Sequence, residues 1–298
     1  MTAERIGTFE PGSPEWHAAR AAGLGASEIA AVIGLSPWES RYSLWHRKRG
    51  TLPPADTNDT MSLGHYFEPA IARRFADEHP ELRVRRTGTW RARERPWQIA
   101  NPDRLAYPGR IPVEIKWSPH GDEWGPSGSD EIPIYYRCQV MQQLDVLGAE
   151  FGYVAAVVGG SYREYVIRYD TTDAELLRKE GAAFMASLAD GTPPDLDTST
   201  HTYQAVRALH PDIDDREVEI DEQLAADYWA AVDQARDAAE HERQVKARLL
   251  DALGTGKHAV TADGKRVAYR KPHRTGVALV PCRPKPNPTT IKGAMSEQ

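Results

Sequence analysis

The stretch Asn101-Pro102-Asp103-Arg104-Leu105-Ala106-Tyr107-Pro108-Gly109-Arg110-Ile111-Pro112-Val113-Glu114-Ile115-Lys116-Trp117 decides the fold. From Arg110 to Trp117, β-branched residues broken by one proline predict a short strand. A strand alternates faces, so Glu114 and Lys116 project together while Ile115 points to the core. Pro102-Asp103 lies at the end of the preceding strand. A turn through Tyr107-Pro108-Gly109-Arg110 makes the two strands a hairpin, which lets Asp103 approach Glu114. Two carboxylates beside a lysine form a donor set for a divalent cation, and such a set can activate water against a phosphodiester. An Asp-capped turn followed by an exposed Glu-Lys pair is the plainer alternative.

The rest of the chain bounds that choice. Its 298 residues suit one large domain or a domain with an appendage. Hydrophobic residues make up 40% and there are eight Trp, enough for a real core. Trp38 and Trp45 are read as members of that core. Cys138 and Cys282 lie too far apart in sequence to suggest a disulfide framework or a zinc site. The absence of any apolar run resembling a signal peptide or a membrane span leads to the expectation of a soluble cytoplasmic protein. The net charge of −6 argues against a general nucleic-acid coat. Locally, however, Arg83, Arg85, Arg86, Arg91, Arg93 and Arg95 crowd a stretch opposed only by Glu94. A basic surface next to a carboxylate site suits a DNA-handling protein; arginines protecting a solvated edge hairpin are the alternative.

Turn and cap signals order the elements. Ser13-Pro14-Glu15 opens a helix closed by Gly23, and Ser27 is read as the N-cap of a second, short helix ending at Gly34. A third helix runs from about Ser40 to Arg49, and a longer one from Ser62 to Glu78 carries Glu68. Short strands follow to Trp117. The Gly/Ser/Pro-rich residues 117–133 read as a mobile loop. A helix over Ile134–Leu147, a strand over Phe151–Val158, a Gly159-Gly160 turn, a strand over Tyr162–Tyr169 and a helix over Asp173–Asp190 complete an α+β pattern: a central mixed sheet flanked by helices. Composition turns polar at about Asp195–Asp214. Beyond it come a long charged helix, Ile220–Leu253, and a hairpin through Tyr269. The boundaries are therefore a first domain over 1–195, a linker over 196–215, a helix-plus-hairpin appendage over 216–275 and a disordered tail over 276–298.

Taken in order, these segments resemble the lambda-exonuclease-like (YqaJ-type) viral recombinases of the PD-(D/E)xK nuclease superfamily. The resemblance rests on Gly25-Ala-Ser-Glu-Ile-Ala-Ala-Val-Ile-Gly-Leu-Ser-Pro-Trp38 with Leu44-Trp45 and Gly50, on Gly64-His-Tyr-Phe-Glu68, on Asn101-Pro-Asp103 with Glu114-Ile-Lys116, and on Pro133-Ile-Tyr-Tyr-Arg-Cys-Gln139. It covers residues 10–190. Met141 departs from it, because many relatives have a second glutamine there; Gln142 and Gln143 lie alongside, which leaves the helix register open.

The resemblance implies a PD-(D/E)xK nuclease-like sheet over 1–195 and a set of roles. Asp103 and Glu114 would hold Mg²⁺, or Mn²⁺ in its place, with the Ile115 carbonyl a further ligand and Glu68 completing a second metal position. Lys116 would orient or help deprotonate water, and Gln139 would position that water or a phosphate. Arg20 and Ser27 resemble a 5′-phosphate pocket, a hydroxyl at a helix N-terminus plus a guanidinium, and Tyr136 shares a helical face with Gln139. His65, one turn before Glu68, is read as a surface or core residue. The implied activity is 5′→3′ exonuclease action on double-stranded DNA ends in a phage or prophage. Implied partners are a single-strand annealing protein and further copies in a trimeric ring. An endonuclease or nickase of the same fold, and a catalytically silent DNA-end-binding module, are the rivals; the intact Asp103/Glu114/Lys116 set speaks against the latter.

Overall fold

The computed structural model describes residues 3–9, 12–54, 59–274, 276–282, 291 and 295. The chain forms two compact units, Met1–Pro211 with Asn287–Gln298, and Asp212–Pro286. The first begins with β1 (Ala3–Gly7), α1 (Pro14–Ala21), β2 (Leu24–Gly25), α2 (Ile29–Val32) and α3 (Arg41–Lys48). Ser40 starts α3 through a reciprocal capping box: its hydroxyl accepts from the Ser43 amide at 3.1 Å and the Ser43 hydroxyl accepts from the Ser40 amide at 3.0 Å. Then come α4 (Asp59–Glu78), which runs through Pro69, and the strands β3 (Arg83–Arg86), β4 (Thr89–Ala92), β5 (Gln98–Ala100), β6 (Arg104–Tyr107) and β7 (Ile111–Ser118). The unit continues with α5 (Ile134–Leu147), β8 (Phe151–Val158), β9 (Ser161–Arg168), α6 (Thr171–Asp190) and α7 (Thr200–Leu209).

The central five-stranded sheet has the order β3-β6-β7-β8-β9. β6 and β7 pair antiparallel with Arg104 opposite Val113, the hairpin read from the turn signals. β7 and β8 run parallel with Glu114 opposite Val154 and Lys116 opposite Ala156, and α5 supplies the crossover that a parallel pair requires. Gly159 and Gly160, at φ 56° and 85°, make the tight turn into β9, a left-handed geometry that favours glycine. The result is the expected α+β architecture with a mixed sheet between helices.

Alternation along β7 divides the two faces. Val113 and Ile115 pack with Ile71, Ala72 and Phe75 of α4. On the other face Cys138, Met141 and Leu144 of α5 join Ile29 and Val32 of α2, Leu44 and Trp45 of α3, and Leu177 and Phe184 of α6. Both faces of β7 are therefore covered, and any polar side chain on it must find partners within the protein.

Several expectations are corrected. α2 is only four residues long and its N-cap is Glu28, so Ser27 is not the cap; Ser27 is exposed in the turn before it. Residues 118–133 are anchored: Trp124 is buried, the Gly128 amide donates to the Glu164 carbonyl at 2.8 Å, and the Tyr165 hydroxyl to the Gly125 carbonyl at 2.9 Å. The span 196–215, read as a linker, contains α7, whose Thr202 and Ala205 are buried. A second sheet of order β1-β4-β5-β2 goes beyond the sequence reading.

In the second unit α8 (Glu222–Leu253) is the long helix expected, and none of its residues is buried. β10 (His258–Val260), β11 (Arg266–His273) and β12 (Gly276–Pro281) form an antiparallel three-stranded sheet in that order. β12 occupies the start of the span read as a disordered tail, because its backbone pairs with β11 from Ala268–Pro281 to His273–Gly276. Ile291, in the first unit, is fully buried and its amide donates to Asp173 Oδ2 at 3.0 Å. The rest of the tail reading lies outside the described residues. No helix among the described residues is long and apolar enough to cross a membrane.

Candidate active site

β7 carries Glu114 and Lys116 towards α5, and α5 meets them with Gln139 and Gln143. Glu114 is 2% exposed, an ionisable group that burial would penalise without partners. Its Oε1 accepts from Lys116 Nζ at 2.5 Å and from Gln139 Nε2 at 2.6 Å, and its Oε2 accepts from Gln143 Nε2 at 2.7 Å. Lys116 Nζ also donates to Gln139 Oε1 at 3.1 Å and lies 4.6 Å from the centre of the Tyr136 ring.

Asp103, at the start of the β6–β7 hairpin, is tied to β7 by accepting the Ile115 amide on its Oδ2 at 2.7 Å. Ile115 thus joins the site through its backbone while its side chain packs under α4. Burial and the Glu114 carboxylate push Asp103 well above the usual carboxylate range; Glu68 adds to the rise, while Lys116 and the Ile115 amide oppose it. Burial alone would lower the pKa of Lys116, but Glu114, Tyr136 and Asp103 outweigh it and raise it, so the ammonium keeps its proton. The site thus sets two carboxylates against one lysine, and Asp103 is the one that resists ionisation.

Glu68 reaches the edge of this cluster from α4. Its neighbours Tyr66 and Phe67 are exposed, and the Glu68 side chain is 26% exposed. Arg104 holds it: one guanidinium nitrogen donates to Glu68 Oε1 at 2.7 Å and to the Asp103 carbonyl at 2.6 Å. With Glu68 drawn onto Arg104, no group of three or more His, Cys, Asp or Glu side chains among the described residues is placed to hold a metal ion. Asp103 and Glu114 remain as a carboxylate pair. His65 is exposed on α4, within the surface-or-core reading.

Arg20 belongs to a second cluster, built around Glu28, while Ser27 is exposed beside Glu28 in the sequence. Arg20 donates to Glu28 Oε1 at 2.7 Å, and Lys48 Nζ and the Gly25 amide lie 2.9 and 2.7 Å from Glu28 Oε2. Burial works to raise the Glu28 pKa, but Arg20, Lys48 and the Gly25 amide outweigh it and hold it down. Lys48 also donates to the Arg20 and Gly23 carbonyls at 2.9 and 2.8 Å, fixing α3 to the end of α1. An anion reaching Arg20 therefore competes with Glu28.

Residues 15–150 match the YqaJ-like viral recombinase domain family. That stretch of the chain is similar to the YqaJ-like domain. Over 168 residues it is 29% identical to the uncharacterized protein YqaJ of Bacillus subtilis (strain 168), which covers 55% of this chain and 51% of that protein. The chain thus spans about half the length of the curated relative it matches. Among solved structures, an alkaline exonuclease from Laribacter hongkongensis is similar at 20% identity and a TM-score of 0.48, over 60% of this chain and 94% of that one. A phage related exonuclease from Haemophilus somnus 129PT is similar at 11% identity and a TM-score of 0.46, over 56% and 94%.

The site holds two residues that the sequence reading missed. Gln143 is fully buried against Glu114, and its signal was its i+4 spacing from Gln139, which puts both amides on one face of α5. The same spacing resolves the register around Met141, which is buried in the core. Arg104 had no signal beyond its place next to Asp103. Of the arginine-rich stretch, Arg91 and Arg93 pair with Glu4, and Arg95 with Asp145 and Glu94, so Glu94 is not the only opposing charge. Trp45 is core as expected, but Trp38 is 58% exposed, because it stands at the rim against Tyr135 and Tyr136.

Proposed function

We infer that this protein is a metal-dependent deoxyribonuclease, a 5′→3′ exonuclease on double-stranded DNA ends. The observation that carries the reading is the convergence of Asp103, Glu114, Lys116 and Gln139 at one buried spot, where two carboxylates face one ammonium. The donor chemistry fits Mg²⁺, with Mn²⁺ as a substitute: this ion takes one or two protein carboxylates and fills its other positions with water and substrate oxygens. Asp103 and Glu114 would hold it, the Ile115 carbonyl would add a donor, and Glu68 would serve a second ion once released from Arg104. When bound, Mg²⁺ supplies polarisation of the phosphoryl oxygen and a more acidic water.

The protein's own residues do the rest. Lys116, protonated and bonded to Glu114, presents a cation to the charge that develops on the phosphoryl oxygens. Gln139 fixes Glu114 and Lys116 relative to each other and would position the attacking water or a phosphate beside them. Tyr136 limits the positions open to Lys116. Arg20 and Ser27 would take the 5′-phosphate, with Arg20 exchanging Glu28 for it. The long 3′ strand left by such an enzyme suits a single-strand annealing protein, and a ring of three copies around the duplex would keep it on its substrate. Its setting would be the cytoplasm of a bacterial host, as a phage or prophage product.

The test is incubation with Mg²⁺ and three substrates: linear duplex with 5′-phosphates, linear duplex without them, and covalently closed circles, with Glu114→Ala as control. Progressive loss of 5′-phosphorylated strands alone, absent in the variant, is the expected result. Cutting of circles would make the protein an endonuclease, and binding without cleavage would leave an end-binding module.

A further inference from the structure

Trp38 is an exposed aromatic held in place. It stands in the turn between α2 and α3, where its amide donates to the Ser36 hydroxyl at 3.2 Å. The preceding carbonyl, of Pro37, is bonded to His201 Nε2 of α7 at 3.0 Å. The Trp38 and Tyr135 rings meet edge to face, with centroids 4.6 Å apart and planes at 71°. Its centroid is 5.8 Å from that of Tyr136, and Tyr136 in turn packs 4.5 Å from Tyr135 and 5.8 Å from Trp124. Its own turn and α7 hold the backbone at Trp38 and two tyrosines of α5 hold its ring, yet the residue remains 58% exposed. A tryptophan recruited only to cover the tyrosines would bury its own faces as far as it could. This one is oriented and left open.

Its position connects it to the chemistry. Tyr136 lies between Trp38 and Lys116, whose Nζ is 4.6 Å from the tyrosine ring centre. Tyr136 thus contacts both the ammonium at the site and the indole at its rim. Every base has a π-face, and aromatic side chains bind single-stranded bases by stacking without regard to sequence. We propose that Trp38, oriented by Tyr135 and Tyr136, is the stacking platform for the nucleobase of the nucleotide whose phosphate lies at Lys116. The ligand class is an unpaired nucleobase at a DNA end, either the terminal or the penultimate one. The proposal rests on the nuclease reading for the position of the phosphate. It adds a subsite made of residues with no part in holding metal.

Stacking and scaffolding are separated by a double-mutant cycle between protein and DNA. Affinity for a 5′-phosphorylated duplex end is measured in Ca²⁺, so that binding is read whether or not Mg²⁺ supports cleavage. Wild type, Trp38→Phe and Trp38→Ala are each titrated with a normal end, an end abasic at the terminal position and an end abasic at the penultimate position. The expected result is a loss of about tenfold for Trp38→Ala on the normal end. Trp38→Phe should retain most of the affinity. On one of the abasic ends Trp38→Ala should bind as wild type does. Equal losses on all three ends would show a scaffolding role and overturn the proposal, as would no loss on any. Coupling to a base without cleavage in a parallel Mg²⁺ assay would sink the nuclease reading and leave the platform standing. No binding of any end by the wild type would sink both.

Discussion

Replacing Gln143 with methionine should separate activity from stability. Gln143 is fully buried; its Nε2 donates to Glu114 Oε2 at 2.7 Å, while its Oε1 is buried with no hydrogen-bond partner among the described residues. The amide thus makes one charge-assisted bond and leaves one acceptor unsatisfied. Losing a hydrogen bond to an ionised group costs about 1.5–3 kcal/mol, and removing a buried orphan acceptor returns about 1–3 kcal/mol. Methionine is of similar length and flexible, so the packing change is small. The two ranges largely offset, so unfolding free energy should change by no more than about 2 kcal/mol from wild type. Catalysis has no such compensation, because the freed Oε2 can rotate the carboxylate away from the geometry that Gln139 and Lys116 alone now hold. If the lost bond acts fully on the transition state, kcat/KM falls by about 10- to 100-fold. The assay is initial rate on linear 5′-phosphorylated duplex, paired with urea unfolding of the same preparations. Wild-type kcat/KM in Gln143→Met would refute the positioning role. A parallel loss of stability and rate would show that the amide serves packing.

Three further outcomes follow from the geometry. Mg²⁺ should stabilise the folded chain, by about 2.7 kcal/mol at a hundredfold excess over its dissociation constant, or about 5 °C in Tm; calorimetry with and without chelator checks this, and a shift that survives Asp103→Asn would place the ion elsewhere. Arg104→Ala should cost about 1.5–3 kcal/mol in urea unfolding, since it removes the bonds to Glu68 and to the Asp103 carbonyl together, and a loss below about 0.5 kcal/mol would mean the bridge is idle. Asp145 is held below its ordinary value of 3.8: burial works to raise it, but Arg178, Gln98 and Arg95 outweigh burial. A depressed folded pKa contributes stability that is present above the unfolded value and lost as pH falls through the folded one. Asp145→Asn should therefore be less stable than wild type at pH 7, with the gap closing below about pH 4; a gap constant with pH would remove the linkage.

What the sequence disclosed, and what it withheld, divides along the range of the interactions involved. The Gly159-Gly160 turn and the 107–110 hairpin are local devices, written within a few residues, and each was legible. The approach of Asp103 to Glu114 was legible for the same reason, because a hairpin of known turn fixes which residues face each other. The partners of Glu114 were harder. Gln139 could be taken from a resemblance, while Gln143 needed the helix register of α5 relative to β7, which a parallel crossover sets only in three dimensions. Glu28 shows the other kind of failure. Its turn looked like a cap centred on Ser27, but Arg20 from α1 and Lys48 from α3 converge on Glu28, and this long-range ion cluster overrides the local capping preference. Trp38 failed in the reverse direction. Aromatic content is evidence for a core only on average, and nothing in the neighbourhood of Pro37-Trp38 says whether the ring turns inward or out.

The same distinction explains why the site tolerates its charge. A hairpin forces Asp103 close to Glu114 whether or not the pair is comfortable, and burial between α4 and α5 removes the water that would screen it. Lys116 and the two glutamines satisfy Glu114, leaving Asp103 as the group that absorbs the surplus by resisting ionisation. A protein selected for stability alone would have put an apolar residue at one of the two positions, because replacing buried charge by packed hydrophobic side chains is often neutral or favourable. Keeping both carboxylates, with one protonated ammonium between them and Glu68 within electrostatic reach, makes sense where a cation and a phosphate arrive from outside. The unfavourable pair is then the ground on which the metal and the substrate bind.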